Sequence, residues 1–237
     1  MCAVWRVIVR LIDLSIPIAH GDGRLGVEVS FERPYTFENC GWQGSSFKMF
    51  AHYASHVDAP RHFLPDGLTI DQVPLKSLIG PAAVIDLTDH CETMEISGDT
   101  LEERGRCVEE GDIVILRTTW TDKYWGTDKF WEEGPYLSAE GASWLVEHRI
   151  KSVVYDFSEE YVVRKSGFRG EDCEIHHKIL GSDIFNIEYV RGLNQIKRPR
   201  CAIMAMPLNL SGLDGAPARV VAIEGHTLPK EFEVVAV

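Results

Sequence analysis

The stretch from His52 to Phe63 reads HYASHVDAPRHF and places three of the chain's nine histidines, His52, His56 and His62, around Asp58 within eleven positions. Imidazole nitrogens and carboxylate oxygens are the donors expected to bind Zn2+ or Mn2+, and three protein donors leave a position for water. A cation held that way acidifies water and polarises a carbonyl, which is the chemistry of metal-assisted hydrolysis. Histidine changes charge near neutral pH, so one imidazole of the set can move protons instead. The plainer reading, polar side chains satisfied near a turn, accounts for a lone histidine better than for an HxxxHxDxPxH array.

Spacing alone leaves the local geometry open. His52 and His56 are four apart and would share one side of a helical turn, whereas His56 and Asp58 are two apart and would share one face of a strand or extended turn. Pro60 disfavours helical geometry at Ala59, so the chain must change direction there. That bend could converge His52, His56, Asp58 and His62 on one point.

The elements that must carry these residues are mostly strands. Runs rich in β-branched residues, bounded by turn residues, predict strands at Val4 to Leu14, Ala82 to Leu87, Ile113 to Thr118, Ser152 to Phe157, Ala202 to Met206 and Val220 to Glu224. Most lack strict alternation, which predicts a mixed or parallel sheet covered on both faces by helices. Three helices are expected: SAEGASWLVEHRI with Ser138 as N-cap, the short DTLEERG closed by Gly105, and DCEIHHKILG from Asp172 to Gly181. The segment from Thr119 to Tyr136 holds Trp120, Trp125, Trp131 and three other aromatics with almost no period. It either pins a long loop to the body or walls a pocket for a flat ligand.

Composition bounds the rest. A chain of 237 residues with 45% apolar and 25% charged residues is an ordinary globular protein with a sizeable core. No repeat, low-complexity tract or linker divides it, so one domain over residues 1–237 is expected. The net charge of -12 disfavours nucleic acid and anionic membranes as partners. The opening MCAVWRVIVRLIDLSIPI is too short and too interrupted by Arg6, Arg10 and Asp13 to span a membrane, and it shows no small-residue cleavage site. The six cysteines, at 2, 40, 91, 107, 173 and 201, form no CxxC pair, as expected of reduced thiols in a cytoplasmic protein. There is no GxSxG elbow, dinucleotide fingerprint or P-loop, and GLDGAPAR is no nucleophile elbow.

HYASHVDAPRHF resembles the HxGTHxDxPxH signature of the cyclase-like metal-dependent hydrolases, which include bacterial-type kynurenine formamidases and isatin hydrolases. Ala54-Ser55 replaces the family's Gly-Thr, and every ligand-type position survives. IDLSIPI resembles the family's first strand, PLNLSGLDGAPARVVAI its C-terminal loop and strand, and HHKILGSDIFNIE its second metal element, so the resemblance covers most of the chain. In that element a histidine precedes a glutamate by twelve positions, which selects His176 with Glu188 and leaves His177 in the family's basic position.

The resemblance implies a single α/β domain with the swivelling β/β/α fold, a mixed sheet with packed helices. It also implies one or two Zn2+ or Mn2+ ions. In two-metal members His52 and His56 would bind one ion, His176 the other, and Asp58 and Glu188 would bridge them. His62 would be the catalytic proton shuttle, and some isatin hydrolases hold a single Mn2+. The implied activity is hydrolysis of an amide or lactam in a small aromatic substrate, N-formylkynurenine ahead of isatin, by a homodimer or homotetramer. Against the formamidase assignment, HGDGRLG from His20 to Gly26 stands where typical formamidases carry a WPGD-like segment. A non-catalytic metal-binding or structural protein is the alternative from another class.

Overall fold

The computed structural model describes residues 9–24, 26–89 and 94–225. Ten of its strands carry the account: β1 (Arg10–Asp13), β2 (Ser30–Tyr35), β3 (Gly44–Lys48), β4 (His56–Asp58), β5 (Ile79–Asp86), β6 (Ile113–Arg117), β7 (Ser152–Tyr155), β8 (Phe185–Glu188), β9 (Arg200–Pro207) and β10 (Gly215–Glu224). Each of the six expected strand regions carries one. The part of the first expected strand from Val4 to Ile8 lies outside the described residues, as do Cys2 and Cys91.

The main sheet runs β1-β10-β9-β5-β6-β7-β8-β4, and β4 also pairs with β10, which closes it into a barrel-like arrangement. The order β5-β6-β7-β8 is parallel, and the remaining pairings are antiparallel, so the sheet is mixed as expected. Closure depends on the length of β10: its first residues, Gly215–Pro217, pair with β4, and its later ones pair with β9 and β1.

Successive strand residues feed two cores, because side chains alternate across a strand. Val84, Ile113, Ile115, Val154 and Ile187 pack in one cluster inside the barrel. Ile85, Val114, Leu116, Val153 and Tyr155 join the second cluster beneath the helices. Burial on both faces explains the missing polar alternation.

Helices α1 (Gly98–Arg104), α2 (Trp120–Tyr124), α3 (Asp128–Glu132), α4 (Ala139–Glu147) and α5 (Glu174–Leu180) follow. The expected caps are present. Ser138 Oγ accepts from Gly141 N at 3.0 Å, and the Gly105 and Gly181 amides close the ends of α1 and α5. The aperiodic segment from 119 to 136 is corrected here: it forms the single-turn helices α2 and α3, not one long loop. Its aromatic residues form a packed nucleus, in which the Trp120 indole N–H donates to Phe130 O at 3.1 Å. No helix among the described residues is long and apolar enough to cross a membrane.

Candidate metal centre

β4 supplies the centre of the site because it lies between β8 and β10. Its register sets Glu188 opposite His56 and Gly215 opposite Asp58. His56 and Asp58 point to one side of this strand, as their spacing of two requires. His52 comes from the turn before β4, not from a helix, so the helical option for His52 and His56 is set aside. Ala54 in that turn has φ 58°, a left-handed conformation that costs an L-residue about 1–2 kcal/mol. Glycine at this position in the resembling signature removes that cost. The Ser55 hydroxyl holds the strained turn by donating to Tyr189 O at 2.8 Å and accepting from Ile16 N at 2.9 Å. It keeps the function that the threonine hydroxyl of the signature can perform.

Two histidines have one ring nitrogen committed outside the cluster. His56 Nδ1 lies 2.8 Å from Ala54 O and so must donate, which leaves Nε2 a bare lone pair in the neutral ring. That Nε2 lies 3.2 Å from Asp58 Oδ1 and 3.7 Å from Glu188 Oε2. His176, on α5, is fixed through its backbone N–H and its Nδ1 to Glu160 Oε1, at 2.9 and 3.2 Å. Its Nε2 faces Glu159 Oε1, Glu188 Oε1 and Asp58 Oδ2 at 3.2, 3.4 and 3.6 Å. His177, the next residue, turns away and meets Gly170 O.

His52 is held at both ends, Nδ1 at 2.7 Å from Asp58 Oδ1 and Nε2 at 2.7 Å from Asp214 Oδ2. Gly215 makes room for it, since a Cβ there would stand 2.6 Å from His52 Cε1. His62, in the 3-10 turn Pro60–His62, stacks on His52 with ring centroids 3.8 Å apart, and its Nδ1 lies 3.3 Å from the same Asp214 Oδ2. All six residues singled out from sequence, His52, His56, Asp58, His62, His176 and Glu188, therefore meet at one place.

Charge dominates this place. Burial alone would lower the His52 pKa, but the charge of Asp58 and the bonds to Asp214 and Asp58 raise it to about 10. Burial likewise opposes a charged His176, yet the negative charges led by Glu159 hold its pKa well above the ordinary value. Burial also works against an ionised Asp58, but the positive charge of His52 holds its carboxyl well below the usual range. Glu159 goes the other way: burial, then the charge of Glu188, pushes it well up. Hydrogen bonds from His52 and His62 hold Asp214 well down.

A divalent cation fits this donor set. Glu159 Oε2 and Glu188 Oε1 are buried and accept no hydrogen bond among the described residues. A buried carboxylate oxygen without a partner is costly, and a cation removes that cost. Ligand-type atoms within 4.8 Å of one another occur in the sets His52, His56, Asp58 and Glu159, His176, Glu188. Asp214, Ala54 O and Glu160 fix the His52, His56 and His176 rings from outside the cluster, an arrangement typical of metal-binding histidines.

A cleft of about 170 Å³ opens over these residues, walled by Phe50, Phe63, Phe168 and Tyr189. None of the three tryptophans of the 119 to 136 segment lines it. Trp125 and Trp131 instead pack against Tyr189, with centroids 5.6 and 5.3 Å apart, and so buttress one wall from behind. Asp214, Glu159, Glu160 and Tyr189 escaped the sequence reading. The available signal was position, since Glu159 and Glu160 follow the carboxyl end of parallel strand β7, where α/β sheets build their sites.

Residues 12–159 match the family described as putative cyclase. A kynurenine formamidase of Bacillus cereus is 28% identical over 216 residues, covering 89% of this chain and 95% of the relative. A solved structure described as a potential metal-dependent hydrolase with cyclase activity superposes with a TM-score of 0.72 at 25% identity, over 92% of this chain and 98% of that one. An isatin hydrolase bound to the product analogue thioisatinate gives a TM-score of 0.80 at 17% identity, over 91% of this chain and 92% of that one, a likeness of fold.

Proposed function

Because the chain belongs to the putative cyclase family, we propose that it is a metal-dependent hydrolase of an amide or lactam bond in a small aromatic substrate, arylformamidase-like with N-formylkynurenine as the leading candidate. The observation that carries this reading is the buried cluster in which Glu188 Oε1 lacks a hydrogen-bond partner 3.4 Å from His176 Nε2. His52, His56 and Asp58 would hold one Zn2+ or Mn2+ ion and His176 a second, with Asp58 and Glu188 shared between them. Bound there, such a cation supplies Lewis acidity toward a carbonyl oxygen and lowers the pKa of water.

The chain's own residues supply the rest. His62 accepts a proton from water and returns it to the leaving nitrogen, its Nδ1 side held by Asp214 so that Nε2 exchanges the proton. Asp214 also holds His52, so proton transfer and the metal centre share one outer carboxylate. Phe50, Phe63, Phe168 and Tyr189 exclude water and present flat apolar faces. The name of the Bacillus cereus relative supports a formylated aromatic amine, and the fold of the isatin hydrolase supports lactam opening as the second candidate. The same reading includes a cytoplasmic homodimer or homotetramer. The free thiols of Cys40, Cys107, Cys173 and Cys201 and the exposed Phe31 and Phe47 of the β2–β3 hairpin are in keeping with it.

The test is a substrate panel, N-formylkynurenine, isatin and an aliphatic cyclic amide matched for carbonyl reactivity, assayed separately with Zn2+ and Mn2+. Each buried ring adds on the order of 2 kcal/mol, about thirtyfold, when expressed in the transition state. Equal use of the aliphatic amide would reject an aromatic pocket. Absence of metal-dependent turnover on all three would reject the hydrolase assignment.

A further inference from the structure

The strongest unassigned feature is Glu159. It follows β7 by four positions, and its carbonyl accepts from Leu137 N at 2.9 Å, which fixes the backbone at that point. The side chain is almost wholly buried, at 1% exposure, an uncommon place for an acid. Its Oε1 stands 3.2 Å from His176 Nε2 while its Oε2 accepts no hydrogen bond among the described residues. Glu160, the next residue, takes the other nitrogen of the same ring at 3.2 Å. One dipeptide thus addresses both edges of His176, but with different consequences. Glu160 orients the ring, whereas Glu159 lies on the side that faces Glu188 and Asp58.

Three carboxylate oxygens surround His176 Nε2 at 3.2, 3.4 and 3.6 Å. A single N–H can donate one good hydrogen bond, so a proton on Nε2 cannot satisfy all three. A cation can. Donors on a tetrahedral ion with bonds of about 2.0–2.2 Å lie roughly 3.3–3.6 Å from one another, close to the three distances measured from His176 Nε2, and the donor atoms of Glu159, His176 and Glu188 all lie within 4.8 Å of one another. We infer that Glu159 is a direct ligand of the second cation, shared with His176 and Glu188. The inference rests on the metal-dependent reading above and adds a residue to it.

The added carboxylate makes the two positions chemically unlike. The first has two imidazoles and one carboxylate of its own or shared. The second has one imidazole facing Glu159, Glu188 and Asp58, an oxygen-rich set that suits Mn2+ better than the nitrogen-rich one does. Glu159 is then the residue that makes the second position hold its ion and tilts its choice of ion.

The experiment uses the full chain and its Glu159→Gln variant, which keeps size and loses the charge. Bound Zn and Mn are counted by elemental analysis after equilibration at defined free metal, and the metal-induced rise in Tm is recorded for each. The wild type is expected to bind two ions. The variant should bind one, or bind the second at least tenfold more weakly, with the larger loss for Mn2+ and a smaller metal-induced Tm rise. Its metal-free form should melt at or above the wild-type temperature, because one of several buried acids crowded around a single imidazole has been removed. Unchanged stoichiometry and affinity in the variant overturn the role of Glu159 and leave the hydrolase reading intact. A lowered metal-free Tm with an unchanged metal-induced rise also overturns it, because the carboxylate is then purely structural. If the wild type itself binds no metal, the underlying reading fails first. Should Glu159→Gln not fold, Glu159→Leu is measured in the same way, and full retention of two ions there would likewise overturn the inference.

Discussion

Replacing Asp214 by Asn tests whether one half-exposed carboxylate supports both the metal centre and the proton shuttle. The substitution keeps the shape of the side chain and removes the charge that lies 2.7 Å from His52 Nε2 and 3.3 Å from His62 Nδ1. Outer-shell carboxylates on ligand histidines are worth about 10–100-fold in metal affinity, or about 1.4–2.7 kcal/mol. Asp214 is 41% exposed, so solvent screening places the expected loss at the lower end, about tenfold. The second effect falls on His62. A positioned general base contributes about 10²–10⁴-fold, and an imidazole freed from its anchor keeps part of that. At saturating metal, kcat should therefore fall a further 10–10²-fold. Metal affinity is measured by competition with a chromogenic chelator, and kcat by steady-state turnover of N-formylkynurenine in excess metal. The two losses should separate, with added metal restoring occupancy but not rate. Affinity and kcat both within twofold of wild type would refute the shared role of Asp214.

Three further outcomes are expected. Ser55→Ala removes the acceptor of the buried Ile16 N–H and the donor to Tyr189 O, and should cost about 2–3 kcal/mol in urea unfolding, with Ser55→Thr close to wild type. Burial pushes the Asp156 carboxyl up to about 7 despite its bonds from Thr118 and Thr119. The folded chain then holds a proton that the unfolded chain sheds near 3.8, so this contribution to stability is full below that pH and is lost as pH rises toward 7. The loss is on the order of 4 kcal/mol at most, and Asp156→Asn should flatten unfolding free energy measured between pH 5 and 7.5. Finally, His176→Ala should lower bound metal by at least one ion, whereas His177→Ala, which removes a contact to Gly170 O and an edge-on contact to the Phe63 ring, should leave metal content unchanged.

The mixed sheet, though not its closure, was legible in the sequence wherever its strands carry runs of apolar residues. β5, β6 and β10 carry enough β-branched residues, and β9 enough apolar ones, to be seen without tertiary information. β4 and β8, of three and four residues, are too short to show any period, yet they carry His56, Asp58 and Glu188. Those residues were found through their chemistry and spacing instead. The β2–β3 hairpin was missed because Pro34 interrupts it and its aromatics are exposed rather than buried on one face. α2 and α3 were missed because one turn has no amphipathic repeat, and their stability comes from tertiary packing around Phe130 and Trp131. Asp214 and Glu159 meet partners 162 and 17 positions away in the chain, His52 and His176, and such pairings are properties of the closed barrel. Asp214 did lie in GLDGAPAR, a stretch considered for a nucleophile and set aside correctly on that point, while its carboxylate carried the actual role proposed here.

The most direct test is an anomalous difference map from crystals of the metal-loaded chain, collected on both sides of the zinc and manganese absorption edges. A peak is expected within about 2.0–2.2 Å of His52 Nδ1, His56 Nε2 and an Asp58 oxygen, and a second peak beside His176 Nε2 and Glu188. Metal peaks confined to other parts of the surface, with this cleft free of anomalous density in a catalytically active crystal, would contradict it.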